Sequence, residues 1–183
     1  MLSNGGVHSH ISHLIALTEW AKKNTNDKII LHLFLDGRDM APQSAQSILK
    51  ELNPYLDDQC TIATACGRGI GMDRTENWDR TLSSLQNILE TLFPPEEGGQ
   101  KKISSWINEH YFQNITDEFM PPARFTHDVV KKNDAIIFLA LQKILWVISG
   151  FLEGKKRYTD SIIHRYQWIY SQQSIRTTSN CSV

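Results

Sequence analysis

The sequence predicts an α/β domain of three layers, in which helices flank a central, largely parallel or mixed sheet, followed by a poorly ordered C-terminal tail. Three observations carry that expectation. Segments with apolar residues at helical spacing alternate with short, near-continuous apolar runs, the pattern of strands covered on both faces. Two of those runs, KIILHLFLD and CTIATAC, end at a glycine, Gly37 and Gly67. A chain of 183 residues suffices for one domain with a substantial core, and two full domains are not expected.

The elements follow in order. From about Ser9 to Asn24, the residues Ile11, Leu14, Ile15, Leu17, Trp20 and Ala21 recur at helical spacing and predict one buried face. This helix opens directly after GGVHS, so its first-turn N–H groups and positive dipole end would lie beside His8, a place for an anion. Lys28 to Asp36 predicts an inner strand in which His32 is packed rather than reactive. A second helix is expected to start near Pro42, whose missing N–H costs nothing in a first turn, and to carry Ala45, Ile48, Leu49, Leu52 and Leu56 inward. Cys60 to Cys66 predicts the next strand. Asp73 and Glu76 have capping-box spacing ahead of a helix that places Trp78, Leu82, Leu85, Leu89 and Leu92 on one face and stops at Pro94 and Pro95. After PPEEGG come a shorter helix around Lys101 to Tyr111 and a strand from Ala135 to about Leu139. Beyond Gly154 the chain is rich in Ser, Thr and Gln without a sustained period, as expected of a mobile end.

Composition excludes several classes. Nineteen basic residues against twenty acidic ones leave a formal charge of -1, so neither nucleic acid nor a membrane surface is expected as a partner. The three cysteines, Cys60, Cys66 and Cys181, lack CxxC spacing, which disfavours a disulfide framework or zinc knuckle and points to a reducing cytoplasm. The start, MLSNGGVHSH, lacks the basic and apolar regions of a secretory signal. The apolar stretch from Ala135 to Leu152 is short for a membrane span and carries Lys143 near its middle, where a charge costs about 2.5 to 3.5 kcal/mol.

Three glycine-bearing clusters carry the functional signal: GGVHSH at 5–10, LDGRD at 35–39 and GRGIGMDR at 67–74. The second and third follow strand-like runs, and loops leaving the carboxyl ends of strands are where an open α/β sheet collects ligands. No GxGxxG or Walker loop follows a strand. Arg38, Arg68 and Arg74 supply forked donors that suit carboxylate or phosphate, and Asp39 supplies an acceptor for a hydroxyl. Together with His8 they predict a site for a small, anionic, hydroxylated ligand. The competing reading makes Arg74 and Asp73 an ion pair at a helix start, Asp39 a helix cap and Arg38 a solvated side chain. His8, His10 and His13 also form HxHxxH, but a metal needs converging ligands and no carboxylate lies in that cluster, so no metal is assigned to this chain.

In this order and at this spacing the clusters resemble the cofactor-independent (2,3-bisphosphoglycerate-independent) phosphoglycerate mutases. The segments SNGGVHSHISHLIALTEWAKK, HLFLDGRDMAPQSA, GRGIGMDRTENWDR, ITDEFMPP and NDAIIF carry the resemblance over roughly residues 2–138. It implies an isomerase of glycolysis that interconverts 3-phosphoglycerate and 2-phosphoglycerate. Such enzymes belong to the alkaline-phosphatase-like superfamily. One of their domains holds two manganese ions and a transiently phosphorylated serine; the other, inserted in it, holds the glycerate. Only the inserted domain is resembled here. Carried over, the resemblance implies substrate binding by His8, Arg38, Asp39, Arg68 and Arg74, with Asp39 engaging the glycerate hydroxyls as the catalytic contact. The chain itself would bind no cofactor and would be inactive alone, and its partner would be a separately encoded metal–serine domain.

The resemblance also implies departures. Asn4 stands in place of a usual Asp, Met40 and Ala41 in place of Thr-Pro, and Gly69, Ile70 and Gly71 in place of Tyr-Tyr-Ala. After Phe138 the family continues with an arginine-rich FNFRxDRxRQ-like segment, whereas Leu139 to Ile144 hold no arginine. Residues 1–138 therefore form the expected substrate-binding domain, and 139–183 a divergent tail of the kind a shift of reading frame produces. The alternative reading is a non-catalytic remnant or anion-binding module without mutase activity.

Overall fold

The computed structural model describes residues 1–89, 102–128, 130, 134, 135 and 137. The expected strand over 135–139 falls largely outside these residues, as do Leu92, the PPEEGG loop and everything from residue 138 onward.

Among the described residues, strand β1 (Ile29–Leu35) pairs in parallel with β2 (Cys60–Gly67), which pairs antiparallel with the short β3 (Ala123–Arg124). On the other edge of β1, Leu2 forms a parallel bridge with Leu35, its N–H donating to the Phe34 carbonyl at 2.8 Å. The sheet is therefore mixed, as the alternating pattern predicts. The β1–β2 register runs from Ile29↔Cys60 to Leu35↔Gly67 and shifts once: Leu31 faces Ile62, but His32 faces Thr64. The extra residue, Ala63, turns its carbonyl to the Phe125 N–H at 2.7 Å. Because side chains alternate strictly along a strand, this single insertion exchanges the faces beyond it. Cys60, Ile62 and Ala65 join Leu31, Leu33 and Leu35 in the main core, while Cys66 moves to the opposite face, where its thiol meets the Ser84 hydroxyl at 3.3 Å.

The sheet is covered on both faces. On the main-core side lie α1 (Ile11–Asn24), α2 (Ala45–Leu52) and α5 (Ile103–Phe112), which contribute Ile11, Ile48, Leu49, Leu52, Trp106 and Ile107. On the other side lie the short α3 (Arg68–Gly71) and α4 (Trp78–Leu89); Asn87 of α4 donates to the Ala123 carbonyl of β3. No helix among the described residues is long and apolar enough to cross a membrane.

Four local expectations are revised. In α1, Trp20 is 60% exposed and the buried stripe is narrow. Lys22 sets the rotation, because its ammonium reaches the Tyr55 carbonyl at 2.6 Å and Asp57 at 2.8 Å, and a residue two positions away points to nearly the opposite side. α2 begins at Ala45 rather than near Pro42, because the group that receives its first N–H donors is the distant carboxylate of Asp117, 2.7 Å from Ser44 N and 2.9 Å from Ala45 N. The capping box at α4 does not form. Asp73 accepts instead from the Thr75 and Asn77 N–H groups at 3.1 Å, Glu76 sits at φ 62, and Asn77 faces the Arg80 N–H. Finally, α3 has no forerunner in the pattern, since four residues with two glycines carry no period. It lies so close over Phe34 that a side chain at Gly71 would collide with the ring.

His32 is packed in the sheet as expected, its Nδ1 2.9 Å from the Thr64 hydroxyl. Burial, with Arg124 nearby, pushes its pKa down from 6.5 to about 4. Between those values the unfolded chain binds a proton that folded His32 refuses, so stability rises with pH there and is lost as pH falls. The slope for this one proton reaches up to about 1.4 kcal/mol per pH unit. Urea unfolding from pH 7 down to pH 4 should show the loss, and His32→Gln should flatten it; an unchanged slope in the variant would contradict the assignment.

Candidate functional site

The site is organised by the residue that follows β1. Asp36 is 1% exposed, yet both carboxylate oxygens are occupied. Oδ1 accepts from Arg38 N at 3.2 Å, Asp39 N at 3.0 Å and Arg68 Nη1 at 2.6 Å, and Oδ2 accepts from the Ser3 hydroxyl at 2.5 Å. Burial by itself would raise its pKa. The Ser3 hydroxyl, the Asp39 N–H, the Arg68 guanidinium and the Arg38 N–H together outweigh burial and hold the carboxyl below the usual carboxylate range. The bond pattern needs the chain to reverse at once, and Gly37 does so at φ 65, in the left-handed region that glycine enters without strain.

Arg68 is 4% exposed. Its Nη1 serves two carboxylates, Asp36 at 2.6 Å and Asp39 Oδ2 at 2.5 Å. Burial would weaken the charged form, but bonds to Asp39 and Asp36 more than compensate and raise its pKa. Asp39 is therefore not the cap of the following helix; it faces Arg68.

The three clusters meet. Gly5 of the first lies against Asp39 of the second, where a Cβ would sit 3.0 Å from the Asp39 carbonyl oxygen. His8 of the first meets Arg74 of the third, with Nε2 3.2 Å from Nη2. Arg68 of the third binds Asp39 of the second. Arg38 turns to a fourth segment and forms an ion pair with Glu118 through Nη2. Of the five residues singled out in the sequence, His8 is thus brought to Arg74, Arg68 to Asp39, and Arg38 to Glu118. The first turn of α1 is partly spent: His10 is its N-cap, and its Nδ1 accepts from Ser12 N at 3.2 Å.

Sequence reasoning missed Asp36, Ser3, Asp117 and Glu118. Asp36 was legible only as the end of a strand, and the ITDEFMPP segment offered two adjacent acids ahead of prolines without a stated task. The fold assigns them. Asp117 is fully buried; besides Ser44 and Ala45 of α2, it accepts from the Tyr111 hydroxyl at 2.5 Å, while its own N–H donates to the Pro42 carbonyl at 2.8 Å. Burial is the largest influence on its carboxyl and leaves the pKa raised despite these donors.

Chemically, the cluster is built to bind. Three guanidinium groups, an imidazole and the Asp39 carboxylate suit an anion that also carries hydroxyls. The nearest thiol, Cys66, is an unsuitable nucleophile, since burial pushes it up to about 12. Among the described residues no three His, Cys, Asp or Glu side chains are grouped to hold a metal ion.

Comparison with known proteins bears on what this arrangement is for. Residues 1–142 match the family described as BPG-independent PGAM N-terminus. The 2,3-bisphosphoglycerate-independent phosphoglycerate mutase of Aliarcobacter butzleri is 40% identical over 139 residues, which are 75% of this chain and 27% of that protein. The enzyme of the same name from Pyropia yezoensis is 38% identical over 157 residues, 84% of this chain and 29% of that one. Among solved structures, a phosphoglycerate mutase of Leishmania mexicana, determined at low cobalt concentration, is 26% identical with a TM-score of 0.59, covering 73% of this chain and 25% of that chain. The chain spans less than a third of the length of the curated relatives it matches.

The Asp36 arrangement sets a stability expectation. Asp36→Ala should cost about 3 to 5 kcal/mol in urea unfolding, because it removes one of the two carboxylates that hold the buried Arg68 charge and leaves two loop N–H groups without their acceptor. Asp36→Asn, which fills the same space and keeps an acceptor, should cost less; equal costs for the two would mean that loss of the charge, rather than of the acceptor or the packed volume, dominates.

Proposed function

We propose a function from one premise: this chain belongs to the BPG-independent phosphoglycerate mutase family, matching its N-terminal region. The chain supplies the glycerate-holding half of a phosphoglycerate mutase, an isomerase that interconverts 3-phosphoglycerate and 2-phosphoglycerate in glycolysis, and it works in the cytoplasm. The observation that carries this reading is the convergence of His8 with Arg74 and of Arg68 with Asp39, pairs 66 and 29 residues apart in sequence. Residues 1–138 form the substrate-binding domain, and 139–183 form a divergent tail of the kind that a shift of reading frame, or truncation plus extension, produces. The family match runs through this boundary to residue 142.

The residues take distinct roles. Arg74 and His8 hold one anionic end of the substrate, and Arg38 and Arg68 grip the other through forked N–H donors that stay charged at any working pH. Asp39, fixed by Arg68, accepts from a glycerate hydroxyl and orients it while the phosphoryl group is elsewhere. The bond to Arg68 fixes the direction in which this acceptor points. Two manganese ions and a phosphorylated serine belong to the other half of the family enzyme. Manganese does not fit the donors of this site, because Asp36 and Asp39 are committed to Arg68 and Asp117 to the first turn of α2.

A second reading, an anion-binding module without mutase activity, is favoured by Gly69, Ile70 and Gly71, which offer no aromatic wall beside Arg68. Calorimetric titration of the full chain with 3-phosphoglycerate distinguishes the two. Saturable binding that weakens about tenfold or more in Arg74→Ala and in His8→Ala is expected, the loss typical of a hydrogen bond to a charged group. Binding of inorganic phosphate as tight as that of 3-phosphoglycerate favours the module, and absence of saturable binding defeats the first reading. Mutase turnover with manganese should appear only after a metal–serine domain is added.

A further inference from the structure

Arg38 differs from the other two arginines of the site. Its side chain is 51% exposed, whereas its partner Glu118 is 15% exposed and comes from a segment that none of the three clusters contains. The backbone of Glu118 is clamped. A Cβ on Gly37 would lie 2.7 Å from Glu118 N and one on Gly69 2.8 Å from Glu118 O, and Gly67 approaches the same carbonyl more closely still. Three glycines, Gly37 after β1, Gly67 at the end of β2 and Gly69 in α3, thus leave room for the backbone of this one residue, so the Glu118 carboxylate starts from a fixed origin. At its other end, Arg38 is held by its own N–H, which donates to Asp36 Oδ1 at 3.2 Å.

We infer that Glu118 is a positioning residue, whose carboxylate holds the Arg38 guanidinium in the orientation in which it meets the ligand. The inference rests on the substrate-binding role proposed above for Arg38. An arginine side chain left half in solvent carries rotamer entropy that must be lost on binding, and a fixed counter-charge removes part of that cost beforehand. Glu118 takes one terminal nitrogen, Nη2. Nη2 carries two N–H bonds, and the one that Glu118 leaves can pair with Nε–H or with Nη1 to present a fork to a carboxylate or phosphate. Competition with the ligand is the opposite outcome, and it would show as tighter binding once Glu118 is neutralised.

Two measurements on the full chain test this. The first needs no ligand: the order parameter of the Arg38 Nε–H bond by NMR should fall in Glu118→Ala and fall less in Glu118→Gln, which keeps volume and a neutral acceptor. An Arg38 as ordered in Glu118→Ala as in the natural protein overturns the inference. The second is a double-mutant cycle on 3-phosphoglycerate binding. Glu118→Ala should weaken affinity about two- to fivefold when Arg38 is present and leave it unchanged in Arg38→Ala. An equal loss in both backgrounds, or tighter binding in Glu118→Ala, overturns it. If the natural protein binds no 3-phosphoglycerate, the proposed function fails, and the order parameter alone decides for Glu118.

Discussion

The buried carboxylate of Asp36 is the constraint on which the rest of the site depends. It stands where β1 leaves the sheet, and its four donors come from three separated stretches: Ser3, the Arg38–Asp39 turn and Arg68. A buried ion pair contributes little net stability, because desolvating both charges offsets most of their attraction. Its value here is geometric. An ionised Asp36 with fewer partners would be costly, so Ser3, just ahead of the first cluster, and the second and third clusters must all be in place together.

Asp117 does the same for the far side of the site. By receiving the first N–H donors of α2 it satisfies a helix terminus from 72 residues away in sequence, and it brings Glu118 and Phe119 under the two strand-end loops. That packing explains the small residues around Arg68. At Gly69 a Cβ would lie 2.8 Å from Glu118 O and 2.9 Å from the Phe119 ring, and at Gly71 it would strike Phe34.

What could be read from the residues, and what could not, divides along physical lines. β1 and β2 were legible because a strand covered on both faces leaves a continuous apolar run, and α1, α2 and α4 because one buried face leaves a helical period. Their ends were not, since α2 is capped by Asp117 and α4 starts at Trp78, after Glu76 adopts a left-handed conformation and Asn77 accepts from the Arg80 N–H. Such choices are settled by distant partners, which a local pattern does not contain. In the site, His8, Arg38, Asp39, Arg68 and Arg74 stood out because their residue types advertise a ligand. Asp36, Ser3 and Glu118 did not, because a residue that holds another residue has no chemical signature of its own until the chain is folded.

The charges of the site can now be weighed. Arg38, Arg68 and Arg74 are set against Asp36, Asp39 and Glu118, so the cluster is close to neutral before any ligand arrives, in keeping with a chain whose formal charge is -1. Long-range attraction therefore contributes little, and recognition must come from short, directed bonds. The three arginines are not equivalent in this respect. Arg68 is buried between two carboxylates; Arg38 is half exposed and paired with Glu118; Arg74 is exposed and faces His8. Arg74 and Arg38 are thus the exposed guanidinium groups of the three clusters, and Asp39 lies partly buried against Arg68. A near-neutral cluster of this kind offers a simple anion no long-range field, so any selectivity must rest on the directions of individual N–H donors.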